Sequence, residues 1–168
     1  RTGAWFAFQH SSVMPDVMTL AKGLGSGVPI GACLASGAAA ETFTPGKHGS
    51  TFGGGPLACV AALTTLDVMD KDGLLIHAAE LGKFIRSDLT ERLSGVPGIV
   101  EIRGQGLMIG IELDRPCGEL VKSALAEKLL INVTNDTVVR LLPPLVMTRQ
   151  DAEVLTMKLA TLIRSFLV

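Results

Sequence analysis

Apolar residues recur along this chain at two spacings, and the change from one to the other maps its elements. Val17–Ala21 and Ile30–Ser36 are short, nearly continuous apolar runs bordered by glycine, which predicts two buried strands. Residues 38–43 predict a short helix. From Pro56 the spacing opens to three and four residues. Leu57, Val60, Leu63 and Leu66 predict a helix that starts at Pro56, where a missing N–H loses no partner, and stops at Gly73. A second helix, over 74–93, carries Leu74, Ala78, Leu81, Ile85, Leu89 and Leu93 on one stripe and Glu80, Lys83, Arg86 and Glu91 on the other.

Gly95-Val-Pro-Gly98 breaks the pattern and marks a boundary between lobes. Beyond it, 99–103 and 107–113 predict a pair of strands joined through Gly104-Gln-Gly106. A helix over 119–130 and a strand over 138–142, stopped by Pro143-Pro144, come next. Thr148-Arg-Gln-Asp151 has the spacing of a capping box, and the closing helix turns Ala152, Leu155, Leu159, Leu162, Ile163 and Phe166 inward. Strand pairs and helices after residue 98 predict a small α+β lobe, within a chain that is α/β as a whole.

Composition narrows the functional classes. Fifteen basic and sixteen acidic residues give a net charge of -1 with no block of like charge, so the footprint of a nucleic-acid binder is missing. The longest uncharged run, Gly23–Ala40, approaches the ~20 residues of a membrane helix. Five further glycines and prolines inside it (Gly25, Gly27, Pro29, Gly31 and Gly37) argue against a span, and no membrane partner is expected. Arg1-Thr-Gly-Ala-Trp-Phe6 lacks the basic head and apolar core of a secretory leader. Cys33, Cys59 and Cys117 are odd in number and widely spaced, which fits reduced thiols in the cytoplasm. They form no zinc pattern with His10, His48 and His77, and no metal site is expected.

The stretch most in need of a chemical explanation is Asp16–Gly31. Its apolar run delivers Lys22 to the first position of a loop in which Gly23, Gly25 and Gly27 alternate, and the nearest carboxylates in sequence are Asp16 and Glu41. A lysine kept dry and unpaired loses proton affinity and becomes a nucleophile toward carbonyls, the setting of a Schiff-base lysine. A surface lysine ending a strand is the alternative. Ser50 and Thr51, beside glycines at a helix entrance, are either anion donors or part of a simple turn. Arg140 interrupts an apolar strand before a double proline. It either grips a carboxylate ligand, makes an internal salt bridge, or faces water from an edge. Competing motifs fail: Gly23-x-Gly25-x-Gly27 is not a dinucleotide fingerprint, no Walker A is present, and neither Ser26 nor Ser50 sits in Gly-x-Ser-x-Gly.

Taken together, Thr19–Gly25, Val28–Ala32, His48–Cys59 and Arg140–Leu145 resemble the class III aminotransferases, which use pyridoxal 5'-phosphate, over essentially the whole chain. Arg103–Glu112 and Ile131–Arg140 are most similar to the acetylornithine branch of that class, whose relatives act on ornithine, succinylornithine and 4-aminobutyrate. The resemblance implies a fold-type-I pyridoxal-phosphate transferase fold: residues 1–72 as the C-terminal part of a large cofactor-binding domain, 73–97 as a connecting helix, and 98–168 as a small C-terminal α+β domain. It implies that Lys22 binds the cofactor and moves a proton, that Ser50 and Thr51 hold its phosphate, and that Arg140 receives a carboxylate of the amino-acid or 2-oxo-acid substrate. A homodimer with shared sites follows, because in the family the Ser50–Thr51 segment reaches the neighbouring subunit's phosphate. Gly55 stands where many relatives have asparagine. The family's ring-nitrogen aspartate, first phosphate loop, stacking aromatic and first substrate arginine have no counterpart here, so the chain is expected to be the C-terminal portion of a longer enzyme, with a poorly supported first third.

Overall fold

Residues 6–73 enclose almost nothing, whereas the rest of the chain builds a core. The computed structural model describes residues 1–168 and divides into two units: Phe6–Gly73, and Arg1–Trp5 together with Leu74–Val168.

In the first of these, β1 (Val17–Leu20) pairs antiparallel with β2 (Ala32–Ala35), Met18 opposite Leu34 and Thr19 opposite Cys33. A 3-10 turn over Lys22–Gly25 follows β1 and packs against α1 (Pro56–Lys71), which starts at the expected proline. Residues Gly37–Thr42 form a 3-10 helix without a side-chain cap, in place of the expected short helix over 38–43. The two strands are not buried as their apolar runs predict: β2 is exposed throughout, and only Gly25 and Ala62 are buried in the whole unit. Two strands have too few neighbours to cover either face.

The larger unit holds α2 (Leu74–Arg92), β3 (Ile99–Gln105), β4 (Met108–Leu113), α3 (Leu120–Ala126), β5 (Asn132–Thr134), β6 (Val138–Leu141) and α4 (Arg149–Leu167). The strands form one antiparallel sheet in the order β3-β4-β6-β5. Ile109, Ile111, Leu113, Val139 and Leu141 point from it into a single core with Ala78, Leu81, Ile85 and Leu89 of α2 and Ala152, Leu155, Leu159 and Ile163 of α4. The predicted inward stripes of both helices are therefore the ones buried. A register shift between Ile99 and Glu101 leaves Val100 unpaired as a bulge. Because of it Ile99 and Ile102, three residues apart, both pack on the core while Glu101 and Arg103 face outward.

Three local details differ from expectation. The helix predicted over 119–130 stops at Ala126, because Lys128 adopts φ 59 and the N–H of Leu129 returns to the carbonyl of Ala124 at 2.8 Å. The short edge strand β5 had no predicted counterpart. Its link to β6 uses Asn135 and Asp136 at φ 50 and 58, conformations these side chains tolerate. At α4, Thr148 Oγ1 accepts the Asp151 N–H at 3.1 Å as an N-cap should, but its hydroxyl donates to Asp151 Oδ2 at 2.6 Å, so the reciprocal half of a capping box is absent.

In this unit backbone also meets backbone where α2 crosses the β3–β4 turn. Gly82 of α2 lies against Gly106 in the β3–β4 turn, and Gly106 lies against Arg1 and Thr2. The Leu107 N–H donates to the Arg1 carbonyl at 2.9 Å, and Arg1 Nη1 donates to the Pro143 carbonyl at 2.7 Å. The opening residues are thus a strap laid across the larger unit.

Candidate active site

Lys22 occupies the point where β1 ends. Its φ of 54 is left-handed, in a turn where Gly23 and Gly25 offer positions at which that conformation is free of strain. A non-glycine residue there costs of order 1–2 kcal/mol, so backbone economy does not explain a lysine. The side chain is exposed and makes no hydrogen bond or ion pair. The unpaired amine expected from sequence is present. The dry setting is not, because α1 packs on the turn and buries Gly25 but leaves Lys22 exposed.

Ser50 and Thr51 precede α1 by a glycine-rich approach. Ser50 Oγ accepts the Gly53 N–H at 3.0 Å, and a Cβ on Gly53 would lie 2.8 Å from that same oxygen, so a bare glycine is what lets the turn close. Gly55, the N-cap residue of α1, supplies no side-chain cap, and the first turn holds no acidic residue. The open amides and positive dipole end of a sixteen-residue helix therefore stand beside two exposed hydroxyls. That is a donor set suited to a phosphate. Phe52, Leu57, Val60 and Leu63 around it are largely exposed, Phe52 to 90%.

Arg140 lies in the other unit, on the face of the sheet that carries no helices. It is exposed and forms no ion pair within residues 1–168, so none of these residues makes the internal salt bridge among its three sequence readings. Nor is it on an edge: β6 is an inner strand, flanked by β4 and β5. An open cleft of about 390 Å³ runs past Arg103, Gln105, Met108, Gly110, Thr134 and Arg140. Arg103 and Arg140 both pair in register with Gly110, and Asn132 continues the row beyond Arg140.

Sequence reasoning overlooked the rest of this face. Arg103 Nη1 bonds Glu101 at 2.9 Å and also Glu112, and the two carboxylates, Glu112 foremost, hold its guanidinium above the ordinary arginine range. Alternation of Met108, Gly110 and Glu112 with the buried Ile109, Ile111 and Leu113 was the available signal, with the bulge at Val100 hiding the matching one on β3. The three cysteines are unpaired, no cluster of His, Cys, Asp and Glu is placed to hold a metal, and no helix is long and apolar enough to cross a membrane.

Comparison with known proteins adds an independent line. The family profile described as Aminotransferase class-III matches residues 1–163. The acetylornithine aminotransferase of Nitrosomonas europaea is 59% identical over 167 residues, 99% of this chain and 42% of that protein. A solved ornithine aminotransferase from Toxoplasma gondii, crystallized in the presence of oxidized glutathione and showing partial occupancy of PLP at its active site, superposes with TM-score 0.91 at 36% identity over 98% of this chain and 40% of that one. The acetylornithine aminotransferase of Elizabethkingia anophelis superposes with TM-score 0.89 at 35% identity, covering 99% and 43% respectively. The chain thus spans about two fifths of the length of the relatives it matches.

Proposed function

The chain belongs to the class III aminotransferases, and from that membership we propose that it carries the lysine of an enzyme that moves the amino group of N-acetylornithine to 2-oxoglutarate with pyridoxal 5'-phosphate, a step of arginine biosynthesis. The observation that carries this reading is Lys22: an unpartnered amine, held at left-handed φ where glycine would be cheaper, at the end of a strand. Ser26, in the same loop, also adopts left-handed φ, and backbone strain of this kind clusters at functional positions.

The residues fit the cofactor. Lys22 Nζ would hold the aldehyde carbon of one cofactor, and the open helix end with Ser50 and Thr51 is chemically matched to the phosphate of the one in the partner subunit. Bound there, pyridoxal phosphate supplies an electron sink for the substrate α-carbon. The Lys22 amine would be the base that takes a proton from that carbon and returns one during the opposite half-reaction. Arg140 offers a planar fork to a carboxylate, a feature that amino donor and 2-oxo acceptor share. One receptor can therefore serve both halves of the cycle.

We assign residues 1–72 to the large cofactor-binding domain, 73–97 to a connecting helix and 98–168 to the small domain. The working form is a homodimer in the cytoplasm, with Ser50 and Thr51 serving the phosphate of the partner subunit. The exposed Phe52, Leu57, Val60 and Leu63 beside them support an interface, and three unpaired cysteines support a reducing compartment.

The test is covalent. Reduction with borohydride after incubation with pyridoxal phosphate should place a pyridoxyl group on the peptide containing Lys22, and Lys22→Ala should remove it. Label spread evenly over the surface lysines, or missing from Lys22, would overturn the assignment. Prior addition of acetylornithine should protect Lys22 from trapping. Ornithine is the second reading of the donor, favoured by the structural likeness to ornithine aminotransferases, and protection by ornithine alone would establish it.

A further inference from the structure

On the open face of the sheet, β4 runs between two arginines. Arg103 on β3 and Arg140 on β6 both lie opposite Gly110, one on each side. Two residues along β4, Glu112 lies opposite Glu101 on the β3 side and Val138 on the β6 side. Alternation puts Glu112 on the same face as Gly110, which makes it a diagonal neighbour of both arginines. Diagonal partners sit about 7–8 Å apart, within reach of long side chains. Glu112 can therefore bond either arginine, and it bonds Arg103. Arg103 also takes Glu101, at 2.9 Å, and so bridges two carboxylates that would otherwise repel across the strands. Arg140 is left without an ion pair. Gly110 itself adds no side chain between the two arginines, and the space a Cβ there would take is bordered by Val138 Cγ1 at 3.2 Å and Arg103 Cγ at 4.0 Å.

We propose that Arg103 is a positioning residue that holds Glu112 away from Arg140 and thereby keeps the Arg140 guanidinium open to a substrate carboxylate. This rests on the reading of Arg140 as the carboxylate receptor. When the charge of Arg103 is removed, Glu101 and Glu112 face each other unbridged, and the one cation still diagonal to Glu112 is Arg140. The new internal pair competes with any incoming carboxylate for the same fork. Competition of that kind weakens every carboxylate-dependent state alike, so in the turning-over enzyme KM rises for donor and acceptor while kcat holds.

The side chains concerned are half-exposed on a sheet face, so neutral replacements leave the core untouched. Titrating the chain with 2-oxoglutarate and following arginine Nε–H resonances by NMR reads the competition directly, without turnover. The Arg140 signal, identified by its loss in Arg140→Gln, should move on titration. Arg103→Gln should weaken that response by up to about fivefold, the limit an exposed ion pair commands. Arg103→Lys should retain most of it, and Arg103→Gln combined with Glu112→Gln should restore it. An equal response in the original chain and in Arg103→Gln, or a double variant no better than the single one, overturns the proposal while the receptor survives. If 2-oxoglutarate moves no arginine signal, or its binding persists in Arg140→Gln, the receptor reading falls and takes this inference with it.

Discussion

Replacing Gly82 with alanine isolates the contact on which the larger unit closes. A Cβ at this position would overlap the carbonyl carbon and oxygen of Gly106 and lie 2.8 Å from its Cα. Gly106 has nowhere to retreat. Behind it a Cβ would come within 2.5 Å of the Arg1 oxygen and the Thr2 carbonyl carbon, and its own carbonyl accepts from Arg86 Nη1 at 3.4 Å. Two terms of opposite sign compete. Alanine in a helix interior gains about 1 kcal/mol over glycine. Overpacking costs about 1–3 kcal/mol, and against an immovable backbone the upper end applies, so the net loss is about 2 kcal/mol. With a urea slope of about 1–3 kcal/mol per M for a domain of this size, the unfolding midpoint should fall by about 1 M. The melting temperature should drop by about 8–16 °C for a unit of roughly 100 residues. Urea titration followed by circular dichroism measures the first, and amide exchange at Leu107, whose N–H bonds Arg1 at 2.9 Å, should speed up in parallel. An unchanged or raised midpoint would mean that helix propensity wins and that α2 does not ride on the turn.

Lys22→Gly should be more stable than Lys22→Ala by about 1 kcal/mol in urea, because only alanine keeps the left-handed strain at φ 54; equal midpoints would remove strain from the case for Lys22. Thr148→Ala should cost about 1 kcal/mol through loss of the α4 N-cap, seen as a lower melting temperature, whereas Thr148→Ser should hold. Partial burial works against ionised Asp88, but the hydrogen bond from Arg92 at 2.7 Å, with smaller help from Thr156 and Arg149, outweighs it and holds the carboxyl below its ordinary value. A depressed carboxylate stabilises the fold above its unfolded-state pKa and loses that contribution as pH falls through the folded one. The original chain should therefore lose, below about pH 4, a contribution of under 1 kcal/mol that Asp88→Asn lacks at every pH; Arg92 is 37% exposed, which keeps the pair in the screened range. Paired urea titrations at neutral and acid pH check it.

Where burial follows directly from periodicity, the sequence was sufficient. Leu81, Ile85 and Leu89, and Leu155, Leu159 and Ile163, repeat at helical spacing, and one face of α2 and of α4 had to be covered. Pro56, Gly73 and Thr148 bound their helices for reasons confined to a few neighbouring residues. Lys22, Ser50, Thr51 and Arg140 were legible as unusual residues in unusual settings. Their surroundings were not. Whether Lys22 is dry depends on what lies over its loop, and a residue in chain order says nothing about what covers it. Only the tertiary structure could place Arg103, Gly110 and Arg140 in one row, with Glu112 in reach of both arginines, because strand register depends on hydrogen bonds between segments some thirty residues apart and here also on a single bulged residue, Val100. Local chemistry determined which side chains could act. Pairing across strands decided which of two similar arginines is already occupied and which is free.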